Sequence, residues 1–120
     1  MHNYKELEIW KASVKFCPKI YKITAIFPDS ERFGLISQLT RAVISIPSNI
    51  AEGSAKSSDK HFLIFLENSL GSCYEIETQL FVSKDLGYIK ESDYELLANE
   101  LSSIIKMIIN FMKYLQNKSK

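Results

Sequence analysis

The last quarter of the chain contains apolar residues that recur at alternating steps of four and three. This spacing places the side chains along one stripe of an α-helix and continues for about three heptads, which is typical of helices that pack against other helices. It predicts a long helix over residues 92–116. The stripe consists of Tyr94, Ala98, Leu101, Ile105, Ile108, Met112 and Leu115.

Three earlier segments also have helical periodicity, over residues 5–27, 30–52 and 58–86. The connections between these segments are short, and short connections between long helices make consecutive helices antiparallel. A length of 120 residues is close to the commonest domain size. The sequence therefore predicts an all-α fold, in which residues 1–120 form a single antiparallel up-down-up-down four-helix bundle.

Capping residues mark the boundaries of the predicted helices. The segment Phe27–Ser30 ends the first helix and offers N-cap chemistry for the second, and Ser57–Asp59 offers the same chemistry before the third helix. Gly53 suits a left-handed C-terminal cap at the end of the second helix. Gly87 is predicted to end the third helix.

Two residues interrupt the helical patterns. Pro18 lies within the first pattern, which continues in phase across it, so we expect a kink rather than two helices. Gly71 in the third helix costs about 1 kcal/mol relative to alanine, so we expect a compensating close approach to another helix. Ser92, with Glu95 three residues later, predicts a capping box at the start of the last helix.

The last helix also carries apolar residues outside its main stripe. In a chain of four helices no helix can be surrounded by the other three, so contact with another subunit explains a second stripe better than a deep position in the core. The predicted oligomer interface consists of Leu97, Ile104, Met107, Ile109 and Phe111.

The sequence contains no recognisable catalytic, metal-binding or cofactor-binding motif. Its two histidines are His2, in a terminus expected to be frayed, and His61, and neither belongs to a Glu-x-x-His motif. Cys17 and Cys73 fall in core stripes, so we expect buried thiols rather than nucleophiles. The four glycines are isolated from one another and form no phosphate-binding loop. We therefore predict a protein that is not an enzyme and has no cofactor.

The charge composition gives no direct sign of nucleic-acid binding. Fifteen Lys and Arg residues against 14 Asp and Glu residues give a formal net charge of +1, although a neutral total can hide a polarised surface. The candidate phosphate contacts are Arg32 and Arg41 on the second helix, and Lys56 and Lys60 around the opening of the third, where exposed backbone amides would also face a phosphate. An ordinary polar loop is the alternative interpretation of this opening.

Signals for export or membrane insertion are also missing from the sequence. The N-terminus lacks the apolar core of a signal peptide, and Lys106 and Lys113 interrupt the C-terminal apolar tract. Two cysteines are too few for a disulfide framework. We expect a protein of a bacterial or similar cytoplasm that has no membrane partner.

The segment Ser45–Gly53, which reads SIPSNIAEG, resembles the signature of a bacterial family. The family comprises four-helix-bundle proteins encoded in intervening sequences of large-subunit ribosomal RNA genes. The resemblance extends from Leu7 to Ile89, and the last helix matches only in pattern. Its flanking matches include Leu7–Trp10, Tyr21–Thr24, Gly34–Leu39 and Glu75–Leu80.

This resemblance implies a bundle that assembles into a ring, typically a homopentamer. A related protein, the accessory protein of diversity-generating retroelements, is a basic pentamer that binds nucleic acid and a reverse transcriptase. The family often has a basic doublet in the loop after Gly53, whereas Lys56 is the single cation of that loop here.

Three functional hypotheses follow from the sequence. The first is a non-enzymatic homo-oligomeric scaffold, a pentameric ring by the resemblance, that binds structured RNA or an RNA-handling protein. The second is a protein–protein adaptor that binds no nucleic acid. The third is a small metal-dependent or hydrolytic enzyme, which the missing motifs disfavour.

Overall fold

The computed structural model describes residues 2–118, and this part of the chain contains four α-helices and no strand. Within it, each helix packs against the next and the last packs against the first, whereas the backbones of the first and third helices, and of the second and fourth, are not close neighbours. The chain is therefore a four-helix bundle, as predicted, with the first and third helices at opposite corners. The helices are α1 (Glu8–Thr24), α2 (Leu35–Ser54), α3 (Asp59–Asp85) and α4 (Glu91–Lys118).

The start of the second helix differs from the prediction. Asp29–Glu31 forms a separate 3-10 turn, so α2 begins at Leu35 rather than at residue 30, and Ser30 caps nothing. Gly34 stands between them with φ −106° and ψ −114°, outside the helical region, which separates the turn from the helix. The Glu31 carboxylate takes over the capping role, because its Oε1 accepts a hydrogen bond from the Leu35 amide at 3.3 Å.

The predicted start and end of α3 are confirmed. The Ser58 hydroxyl accepts a hydrogen bond from the His61 amide at 3.2 Å, and Gly87 follows the helix with φ +81°. The predicted capping box of α4 is wrong. The Tyr94 amide donates to the Lys90 carbonyl at 2.9 Å, so the helix is already formed at Glu91 and Ser92 lies within its first turn.

The core is built from all four helices. The main stripe of α4 faces inward as predicted, since Leu101, Ile105, Ile108 and Leu115 are buried. Pro18 lies within α1, which continues across it as one helix. The largest fully buried side chains are Phe16, Ile20, Leu39, Ile46, Ile50, Phe62, Leu66, Ile76, Leu80, Leu101, Ile104 and Ile108.

Two glycines have roles that differ from those predicted. Gly53 is not a left-handed cap, because α2 continues through it to Ser54 and its φ is not positive. A Cβ at Gly53 would lie 2.7 Å from Phe62 Cδ1 and 2.7 Å from Phe65 Cβ, so glycine is required where α3 crosses the end of α2. The close approach predicted at Gly71 is wrong. Gly71 is exposed, and a Cβ there would meet no atom of the described chain within 4 Å.

His2 is docked against the bundle, which corrects the expectation that it lies in a frayed terminus. Its amide donates to the Ser54 carbonyl at 3.1 Å, and its ring packs against Phe62 with centroids 5.2 Å apart. Asp59 Oδ1 lies 3.4 Å from His2 Nε2, and Asp59 Oδ2 lies 3.6 Å from Lys118 Nζ. Desolvation alone would raise the pKa of Asp59, but the His2 hydrogen bond and the Lys118 charge outweigh it and lower the pKa. One carboxylate thus ties both ends of the described chain to the start of α3.

Candidate assembly and nucleic-acid surfaces

The four cations predicted to contact phosphate are all at the surface, and none pairs with a carboxylate within the described part of the chain. Lys56 lies in the loop between α2 and α3, and Lys60 lies in the first turn of α3. Lys56 Nζ is 4.9 Å from the Phe65 ring centroid. Arg32 precedes α2 at the opposite end, and Arg41 lies between. Because α2 spans 20 residues, roughly 30 Å separates its two ends at 1.5 Å per residue. The four cations are therefore distributed along α2 rather than gathered into one patch.

The solvent-facing side of α2 is mainly polar and has little negative charge, with Ile44 as a 42% exposed apolar residue on it. Glu52 is the only acidic residue of this helix, and Arg41 is its only basic one. Within the helix and the loop after it, Arg41 and Lys56 outnumber Glu52, whereas Arg32 follows Asp29 and Glu31 in the preceding turn. Hydroxyl and amide groups occupy much of the remainder, including Ser37, Gln38, Thr40, Ser48 and Asn49. We call this surface the α2 outer face.

The oligomer interface predicted on α4 lies partly inside the chain. Leu97 and Ile104 are buried, with 8% and 1% of their surface exposed, so a second copy cannot reach them without opening the bundle. Met107, Ile109 and Phe111 are half-buried against the core and remain a prediction. The physical reason is that α4 contacts both α1 and α3, and two neighbours require an apolar stripe wider than one heptad seam.

The α3 helix also presents large apolar side chains to solvent, which sequence reasoning missed. Its buried residues face the core, yet on the opposite side Ile64, Tyr74, Phe81 and Val82 each leave 42–50% of their surface in solvent. One edge of this surface is covered within the chain, because the Phe81 ring contacts Tyr94 of α4 with centroids 6.2 Å apart. A helix that is apolar on both sides is normally covered on both. Carboxylates stand among these residues at Glu67, Glu75, Glu77 and Asp85. We call this surface the α3 outer face, and the seven-residue step from Tyr74 to Phe81 is the sequence signal that could have revealed it.

The solvent-facing side of α1 combines apolar residues with lysines. Val14 and Tyr21 are 38% and 49% exposed, and Pro18 and Ala25 lie on the same side. Glu8 is the only acidic residue of α1. Its four lysines are Lys11, Lys15, Lys19 and Lys22, of which Lys11 pairs with Glu8 and Lys19 pairs with Glu100 of α4. We call this surface the α1 outer face.

An apolar groove of about 460 Å³ runs between the end of α1 and the first half of α4. Ile23, Ile26, Leu96 and Leu97 contribute its apolar lining, and an ion pair between Lys19 and Glu100 crosses it at one side. The groove is open at the surface, and the other half of its lining consists of the charged residues Lys19, Lys22, Asp93 and Glu100.

The thiols are poorly suited to nucleophilic chemistry. Burial raises the pKa of Cys73 to about 12, and the nearby charge of Glu77 adds to this effect. Burial also raises the pKa of Cys17, although its backbone hydrogen bond acts in the opposite direction. Since the thiolate is the reactive form, both cysteines are best described as core residues. Among residues 2–118, no group of three or more His, Cys, Asp or Glu side chains is placed to hold a metal ion.

The model of the 23S rRNA-intervening sequence protein family matches residues 5–110. The chain belongs to that family. The match extends past Ile89, where the sequence resemblance ended, and covers α1 to α3 and most of α4. Membership confirms the resemblance inferred from the Ser45–Gly53 segment.

A solved relative supports the same family and fold. It is the crystal structure of a protein of unknown function from the S23 ribosomal protein family of Bacteroides thetaiotaomicron, which is 27% identical to this member. The alignment covers 88% of this chain and 98% of that one, with a TM-score of 0.79. No protein of curated function matches the chain. Within the described residues, no helix has the length and hydropathy needed to cross a membrane.

Proposed function

We propose that this family member is a non-enzymatic homo-oligomeric scaffold that binds structured RNA. The single observation that carries the proposal is the α3 outer face, where large apolar side chains stay half-exposed on the side of the helix that faces away from the core. Exposed apolar surface of this kind marks sites of protein–protein contact. A closed ring is the form that the sequence resemblance implies, with five subunits.

The oligomer is tested by the native mass of the unmodified protein, measured by native mass spectrometry and by light scattering during gel filtration. We expect a mass that is a multiple of 13.8 kDa, and five times that value if the ring is a pentamer. A mass equal to that of one protomer, over a range of protein concentrations, would contradict the proposed assembly.

The α2 outer face supports RNA as the ligand. Its cations have no carboxylate partner within the described residues, so phosphate binding would not require an existing ion pair to be broken. Its hydroxyl and amide groups can form hydrogen bonds with phosphate oxygens and with ribose hydroxyls. A side chain such as Arg41 is suited to bidentate contact with phosphate.

RNA binding is tested by fluorescence anisotropy of a labelled structured RNA over a series of salt concentrations. We expect affinity to fall as salt rises, because phosphate contacts release counterions. Arg41→Ala and Lys56→Ala should each weaken binding and reduce the salt dependence by about one phosphate contact. Lys106→Ala, at an exposed site on α4, is the matched control and should leave binding unchanged. Absence of binding at low salt would overturn the RNA proposal and favour the protein–protein adaptor.

A further inference from the structure

We infer that the α1 outer face of one protomer packs against the α3 outer face of a second copy of the chain. This inference rests on the proposed homo-oligomer and names the two surfaces that form its interface. Both surfaces have a core of half-exposed apolar side chains, with Val14 and Tyr21 on α1 and Tyr74 and Phe81 on α3. Aromatic side chains are enriched in the cores of protein interfaces.

The charges around these apolar cores are opposite in sign. Of the four lysines of α1, Lys11 pairs with Glu8 and Lys19 with Glu100, which leaves Lys15 and Lys22 for another copy. The α3 helix has five carboxylates and two lysines, of which Asp59 is held by His2 and Lys118, and Lys84 lies over the Phe81 ring. Lys15 and Lys22 on α1, and Glu67 and Glu75 on α3, form no ion pair within the part of the chain that the structure describes. Their charges are therefore free to pair between copies, and complementary potentials favour this docking over other orientations.

The position of the two helices determines the kind of assembly. Because α1 and α3 lie at opposite corners of the bundle, each copy can use both faces at once, with a different neighbour on each side. A contact between unlike surfaces is heterologous, and it generates a ring when the rotation between copies closes. The symmetric alternative, α3 against α3, would bring carboxylates together and is disfavoured. This arrangement leaves the α2 outer face uncovered.

Reversing the charges of one face at a time tests the inference. The variant Lys15→Glu/Lys22→Glu makes the α1 outer face acidic, and Glu67→Lys/Glu75→Lys makes the α3 outer face basic. Each double variant should place like charges across the contact and raise the apparent dissociation constant by at least about tenfold. The quadruple variant restores opposite signs at every contact and should regain the native mass of the unmodified protein. Lys106→Glu/Lys113→Glu, two exposed sites on α4, is the control and should assemble normally.

The outcomes separate this inference from the proposal on which it rests. Assembly lost in both double variants and regained in the quadruple variant supports the α1–α3 contact. If the unmodified protein is oligomeric and the double variants keep its mass, this contact is overturned while the scaffold stands. The contact is also overturned if the double variants lose assembly and the quadruple variant does not regain it. This conclusion requires that the circular dichroism of the quadruple variant shows the same helical content as that of the unmodified protein. If the unmodified protein is a monomer, the proposed scaffold itself fails.

Discussion

Replacing Gly53 with alanine should lower the free energy of unfolding by about 1–2 kcal/mol. The added Cβ would lie 2.7 Å from Phe65 Cβ, which is attached directly to the α3 backbone, so the two helices must move apart. Overpacking of this kind costs about 1–3 kcal/mol, and the better helix propensity of alanine offsets up to about 1 kcal/mol of it. Urea denaturation followed by circular dichroism measures the difference.

Gly71→Ala is the matched control, because the same substitution is made inside a helix where no atom of the described chain lies within 4 Å of the new Cβ. It should stabilise the protein by about 0.5–1 kcal/mol through helix propensity alone. Both variants are measured at a protein concentration low enough that the native mass is that of one protomer. Under these conditions subunit contacts do not contribute to the free energy of unfolding. If the two variants shift stability in the same direction, the close packing at Gly53 does not constrain the fold.

Replacing Ile104 with alanine should lower the free energy of unfolding by about 2–4 kcal/mol. Ile104 is 1% exposed, so the substitution removes apolar burial and leaves a cavity that the surrounding helices fill only in part. The sequence pattern predicted an intersubunit role for this residue. If Ile104 had that role, the substitution would lower the native mass and have little effect on the unfolding of a protomer. Denaturation measured under monomeric conditions distinguishes the two roles.

Ile64→Ala is the comparison on the α3 outer face. Ile64 is 50% exposed, so its substitution should change protomer stability by no more than about 0.5 kcal/mol. A large loss of stability from Ile64→Ala, or none from Ile104→Ala, would contradict the division between core and surface described above.

The bundle itself was predictable because helix periodicity is a local property of the chain. The stripe from Leu101 to Leu115 indicates which side of α4 is buried, and Ser58 and Gly87 indicate where α3 begins and ends. Family membership was also predictable, since the Ser45–Gly53 segment is contiguous in the sequence.

The starts of α2 and α4 were predicted less well, because the capping group was not the residue expected. Ser30 and Ser92 have the chemistry of N-caps, yet Glu31 bonds to the Leu35 amide, and the Lys90 carbonyl accepts from Tyr94. Several nearby residues can satisfy the same amides, and the path of the chain between helices decides which of them does so.

By itself, the sequence determined the all-α class, the number of helices, the inward stripe of α4 and the buried cysteines. Only the tertiary structure decided which neighbours each helix has. The arrangement of the four helices buries Leu97 and Ile104 within the chain, places Gly53 against Phe62, and leaves Tyr74 and Phe81 half-exposed. The physical reason is that periodicity reports how apolar residues are arranged around one helix axis, whereas burial depends on which other helices cover each side of it.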